Sequence, residues 1–178
     1  MSQVFVSGHK SPDTDSIAAA LSYSYLKRRL GMDAVAVRAG EINKESRFAL
    51  DYFNLEEPIL VTSVERKNPE DEKQKVILVD HNESKQTIDG MDDAEVLEII
   101  DHHRFGDFES ENPIFILVRP VGCVNTVIYG LYKANHIKPS REIAGIMLSA
   151  IISDTVLFRS PTTTEEDKET AKELAEIA

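Results

Sequence analysis

Tryptophan is absent from these 178 residues, and cysteine occurs once, as Cys123. A lone cysteine closes no intrachain disulfide, which points to a reducing compartment. Positive charge is scarce: 20 Lys and Arg stand against 31 Asp and Glu, a formal net charge of -11. A nucleic-acid backbone or an anionic membrane surface calls for basic patches, so neither is expected as a partner. No run of about 18 apolar residues occurs, which excludes a helical membrane span. The stretch Met1–Lys10 lacks the apolar core of a signal peptide. What is present, 42% hydrophobic and 29% charged residues, is ordinary for a globular chain. One cytoplasmic domain over residues 1–178, with a sizeable core, is therefore expected.

The pattern along the chain alternates. Gln3–Ser7 reads as a buried strand ending at Gly8. After a polar loop, Ile17, Ala18, Leu21, Tyr25, Leu26 and Leu30 recur at helical spacing, with Asp13, Thr14 and Asp15 as cap and first turn. Further strands are expected at Ala34–Arg38, Pro58–Val61, Val76–Asp80, Val96–Asp101 and Ile114–Val118. Helices are expected at Glu45–Phe53, with Phe48, Ala49, Tyr52 and Phe53 on one side, and at Asn125–Asn135 and Ser140–Ser153. A last helix is capped by Thr163 and Thr164 and runs to Ala178 without a stop signal, as if a linker began there. The charged stretch in residues 64–75 reads as an exposed loop able to take an insertion. Apolar strands alternating with helices predict an α/β fold with a mostly parallel sheet flanked by helices. Such sheets bind ligands at the carboxyl ends of their strands.

Acids and histidines gather where strands or apolar helices end. Gly8 leads to His9, Asp13 and Asp15; Val79 to Asp80; Ile100 to Asp101, His102 and His103; Ser153 to Asp154. Each has an ordinary reading: Asp13 and Asp15 as helix caps, Asp80 as a turn former, Asp101-His102-His103 as chance. Asp154, following an apolar run, is harder to explain without a partner. Four coincidences on one sheet edge predict one cleft, in which unpaired carboxylates would repel. Two divalent ions remove that repulsion, and mixed Asp and His ligands suit Mn²⁺, Co²⁺ or Zn²⁺ better than Mg²⁺. A pair of ions about 3.5–4 Å apart can share a hydroxide placed for in-line attack on phosphorus. Cys123, without a basic neighbour, reads as a small buried or loop residue rather than a nucleophile.

The segments Gly8–Ser16, Val79–Glu83, Asp101–Arg104 and Ser149–Asp154, with Pro120–Cys123 and Phe158–Thr162, resemble the signatures of the family II inorganic pyrophosphatases of the DHH phosphoesterase superfamily. The resemblance implies a DHH domain hydrolysing pyrophosphate to two phosphates with metal-bound hydroxide at two Mn²⁺ or Co²⁺ sites per chain, Mg²⁺ accompanying the substrate. His9 and Asp13 would hold one ion, Asp15 and His102 the other, and Asp80 and Asp154 both. His103 would stand near the substrate phosphate, and Asp101 would orient a histidine ligand. The resemblance further implies a homodimer, a C-terminal substrate-gripping domain beyond these residues, little activity without it, and in one subgroup a regulatory insert, for which the 64–75 loop is a plausible place. Two other readings are a DHH-type nucleotide phosphodiesterase, which the acidic charge disfavours, and a non-catalytic metal-dependent dimerisation module.

Overall fold

The computed structural model describes residues 3–178. The elements follow in the order β1 (Val4–Ser7), α1 (Thr14–Arg29), β2 (Ala34–Arg38), α2 (Lys44–Tyr52), β3 (Ile59–Leu60), β4 (Lys75–Val79), β5 (Glu95–Asp101), β6 (Phe115–Val118), α3 (Val124–Ala134), α4 (Arg141–Asp154) and α5 (Glu165–Ile177). Two short 3-10 turns, Ser84–Gln86 and Met91–Asp93, lie between β4 and β5. All six strands form one sheet in the order β3-β2-β1-β4-β5-β6, and every pairing is parallel. Among the described residues, no helix is long and apolar enough to cross a membrane.

Side chains alternate across the strands and build two unequal cores. Val6, Ala36, Ile77, Val79 and Ile100 face the helices, where they meet Ile17, Leu26, Ile128, Tyr132, Ile146 and Leu174. Val37, Val76, Leu78 and Ile99 face the other way, onto Val64, Ile88 and Ala94 from the connections. The chain winds outward from β1 through α1 and α2, then in the opposite direction from β4 through connections on the opposite face. Right-handed crossovers require that change of face when the direction of winding reverses. The order thus switches between β1 and β4, and the carboxyl ends of these two strands diverge around a crevice.

The expected elements are all present, with ends shifted by a residue or two. The buried side of α2 differs. Phe48 and Tyr52 are 70% and 72% exposed, while Ser46, Ala49 and Leu50 are buried. Phe53, just past the helix, covers Gly145 of α4, where an added methyl would meet its ring. A nine-residue helix can bury one narrow stripe, and a small residue on α4 fixes which stripe it is.

Candidate metal centre

The crevice at the switch point gathers seven of the eight residues singled out in the sequence, and the eighth, Asp101, is buried behind His103. Gly8 has no room for a side chain, since a methyl there would lie 1.8 Å from Ser16 Oγ. That close approach lets the His9 N–H donate to Ser16 Oγ at 2.9 Å, fixing the turn that carries His9. Asp13 is the N-cap of α1 and uses one oxygen for the task, accepting from Ser16 N at 2.9 Å. Its other oxygen lies 3.6 Å from His9 Nε2. One carboxylate therefore both caps the helix and faces the crevice.

Asp80 leaves β4 in the left-handed region, φ 62°, which Asp tolerates better than most residues. The turn puts its buried carboxylate between two histidines: Oδ2 is 3.4 Å from His9 Nε2 and Oδ1 is 3.3 Å from His102 Nε2. His102 Nε2 also lies 3.5 Å from Asp15 and 3.9 Å from Asp154. Asp15 is fully buried in the first turn of α1. It accepts from Cys123 Sγ, Val124 N and Asn125 Nδ2 at 2.8, 2.8 and 2.6 Å.

Asp101, at the end of β5, is also fully buried and accepts from four donors. Oδ1 takes the backbone N–H groups of His102 and His103 and the ring Nδ1 of His103 at 2.9 Å; Oδ2 takes Asn82 Nδ2 at 2.6 Å. Asp101 thus holds His103 by its ring. The ring of His102 is held instead by the Val121 carbonyl, 2.9 Å from Nδ1. His103 itself is exposed. Cys123, Asn82, Asn125 and the Val121 carbonyl form a supporting layer. Cys123 and Asn82 lie in the motifs, but nothing in the sequence pairs them with Asp15 or Asp101. Asn125 carries only the weak signal of an amide opening an apolar helix.

Electrostatics in the crevice favour protons on Asp80 and Asp154, whereas at Asp13 and Asp101 burial is outweighed by hydrogen bonds, which lower both. Burial, with the charge of Asp15, pushes the Asp80 carboxyl up, and the same two causes raise Asp154 to about 11. Burial opposes charge on His9 and His102, but Asp13 and Asp80 outweigh it for the first, raising it to about 10, and Asp80 and Asp15 for the second, raising it to about 9. His81, buried behind His9 with Nδ1 on the Val79 carbonyl, is lowered by burial to about 4 and stays neutral.

Three sets of donor atoms each lie within 4.8 Å of one another: His9, Asp13 and Asp80; Asp80, His102 and His103; Asp15, Cys123 and Asp154. Asp80 Oδ1 is buried and has no hydrogen-bond partner among the described residues. With Nδ1 of His102 donating to Val121, neutral His102 turns a lone pair toward that oxygen. Two lone pairs facing across 3.3 Å call for a proton or a cation between them. The carboxylate and imidazole donors around Asp80 fit a divalent transition metal.

Comparison with known proteins identifies the family. The model of the DHH family, N-terminal domain, matches residues 3–151. The chain belongs to the DHH family. Over all 178 residues it is 52% identical to a protein of an Exiguobacterium species and 53% identical to one of Bacillus licheniformis, both named probable manganese-dependent inorganic pyrophosphatase. It spans 56% of the length of these relatives. The crystal structure of a candidate family II inorganic pyrophosphatase from Methanococcus jannaschii superposes with a TM-score of 0.88 at 43% identity, over 99% of this chain and 56% of that one. An exopolyphosphatase-related protein from Bacteroides fragilis shares the fold, with a TM-score of 0.71 at 18% identity.

Proposed function

We propose that this chain is the metal-binding part of an enzyme that hydrolyses inorganic pyrophosphate to two phosphates. The observation that carries the reading is Asp80: a buried carboxylate with an unpartnered oxygen, set between His9 and His102. The names of relatives that match it over its full length point to manganese, and cobalt suits the same donors. His9 and Asp13 are assigned to one ion, Asp15 and His102 to the other, and Asp80 to both. Asp154 is assigned to both as well; its carboxylate lies 3.9 Å from His102 Nε2 and close to that of Asp15. Cations bound there would supply a water of lowered pKa and positive charge against the phosphoryl oxygens.

The role of His103 follows from Asp101. With Nδ1 hydrogen-bonded to that carboxylate, its pKa is raised, which favours a second proton on Nε2 of this exposed residue. That N–H can donate to a phosphate oxygen, with Mg²⁺ accompanying the substrate. Few other cations are free to do so. Lys10 is paired with Asp89 at 2.5 Å and Arg104 with Glu83 at 2.9 Å, whereas Arg159 has no ion pair among the described residues.

A transition state carrying several negative charges is therefore poorly matched by these residues alone. Removing one positioned donor typically costs about 10²–10³ in rate, so turnover by this chain should fall at least that far below a full-length relative. Metal analysis combined with phosphate release from pyrophosphate tests both halves of the reading. Two Mn²⁺ per chain with slow release is expected; no bound metal, or turnover equal to that of the relative, would overturn it. A cytoplasmic homodimer is part of the same proposal. Edge strand β6 offers Phe115 and Ile116, 50% and 42% exposed, for pairing across a two-fold axis. Sedimentation as a monomer at micromolar concentration with Mn²⁺ would reject that part alone.

A further inference from the structure

Asp167 is fully buried, yet it lies on α5, away from the residues that face the crevice. As the third residue of the helix it completes a capping box with Thr164. A capping box needs only the reciprocal bonds between the two ends of the first turn. Asp167 makes these, accepting from Thr164 N at 2.8 Å, and then reaches further. Oδ2 also accepts from Gly122 N at 2.8 Å, and Oδ1 accepts from Thr126 Oγ1 at 2.6 Å. Thr126 belongs to the first turn of α3, and Gly122 to the turn that enters that helix.

That turn supports the metal centre on both sides of Gly122. The Val121 carbonyl holds Nδ1 of His102 at 2.9 Å. Cys123 Sγ and Val124 N both donate to Asp15 at 2.8 Å. Gly122 is also pressed against the residue following Asp154: a methyl group on it would lie 2.9 Å from Thr155 Cγ2 and 2.9 Å from Asp167 Oδ2. Thr155 is buried, and its carbonyl gathers the N–H groups of Arg159 and Ser160 at 2.8 Å each, closing the left-handed turn Val156–Phe158. One carboxylate, one glycine and one threonine thus form a junction behind Asp15, His102 and Asp154.

We infer that Asp167 is a positioning residue for the metal centre: by fixing Gly122 N it sets the orientation of His102 through Val121 and of Asp15 through Cys123 and Val124. The inference rests on the metal reading above and extends it to a residue that touches neither metal nor substrate. Partners that orient metal ligands commonly change affinity by about 10–100-fold when lost. Here one group stands behind two ligands.

The test compares Mn²⁺ dissociation constants of the 178-residue chain and four variants with their metal-free melting temperatures. Asp167→Ala should weaken Mn²⁺ about tenfold or more. Asp167→Asn, which can still accept from Gly122 N while its amide donates to Thr126, should restore most of the affinity. Thr164→Ala removes the cap but leaves the bond to Gly122; it should lower the melting temperature with little change in affinity. Should Asp167→Ala fail to fold, Gly122→Ala, which pushes the turn away from Thr155, should weaken Mn²⁺ in its place. Affinity in Asp167→Ala or Gly122→Ala equal to the parent's, or weakened no more than in Thr164→Ala for the same loss of melting temperature, would overturn the inference alone. A parent that takes up no Mn²⁺ overturns the metal reading and this inference with it.

Discussion

Asp13 and Asp15 stand two residues apart at the start of α1, and their surroundings have little in common. Asp15 is fully buried under α3 and takes bonds from a thiol, a backbone amide and a side-chain amide. Its neighbour across the crevice, His102, has its far nitrogen tied to the Val121 carbonyl. Asp13 has a half-exposed side chain whose one hydrogen bond among the described residues is the helix cap, and His9 is fixed through its backbone amide rather than its ring. The first pair is held from behind by packed structure, the second by a turn at the rim. Pre-set ligands lose less freedom on binding, so an ion between Asp15 and His102 should be held more tightly than one between His9 and Asp13.

The largest effect should come from the residue common to both pairs. Asp80→Asn removes the carboxylate between His9 and His102, and should weaken both Mn²⁺ equivalents by more than the roughly 100-fold attached to a supporting partner. A titration in which one equivalent keeps its affinity would break the assignment of Asp80 as shared. A smaller effect should separate the pairs. Asp15→Asn should remove the tighter equivalent, and Asp13→Asn should weaken the looser one while costing some helix-cap stability, about 1 kcal/mol or less because Asn also caps. Equal losses in the two variants would erase the contrast drawn above.

The smallest effect is on stability against pH. His9 and His102 keep their protons to about 10 and about 9 in the metal-free fold, against an ordinary 6.5. Raised values mean stabilisation that is complete below 6.5 and lost as the pH climbs through 9 to 10. Asp154, raised from 3.8 to about 11, acts in the same direction, because the metal-free fold favours its protonated form. The metal-free melting temperature should therefore fall over that interval. The stabilisation by Mn²⁺ should grow over it, because the metal replaces those protons. Calorimetry with and without Mn²⁺ reads both trends, and a gap that narrows with rising pH would contradict the reading.

The strands and most helices were legible because their apolar residues repeat with periods that follow from backbone geometry alone. Strand-end acids were legible for a related reason: a parallel sheet sends every carboxyl end to the same edge, so His9, Asp80 and Asp101 had to meet. Which stripe of α2 is buried was not, since Phe48 and Phe53 compete on hydrophobicity and the gap at Gly145 of α4 decides between them. Nor were the partners of the ligands. Asp101 could have oriented either histidine, and only the path of the chain after β5 turns the ring of His103 back onto it and that of His102 toward Val121.

The sequence by itself determined the class of fold, the acidic and histidine-rich edge, and the donor chemistry suited to divalent metals, because period, strand-end position and ligand type are local properties. The tertiary structure alone decided that Asp80 stands between two histidines with an oxygen unpartnered. It also decided that Asp15 shares its charge with Cys123 and Asn125, and that Asp167 on the last helix reaches back to Gly122. The contacts of Asp15 and Asp167 join residues 45 to 110 positions apart along the chain, and nothing local in a sequence encodes a distance closed only by packing.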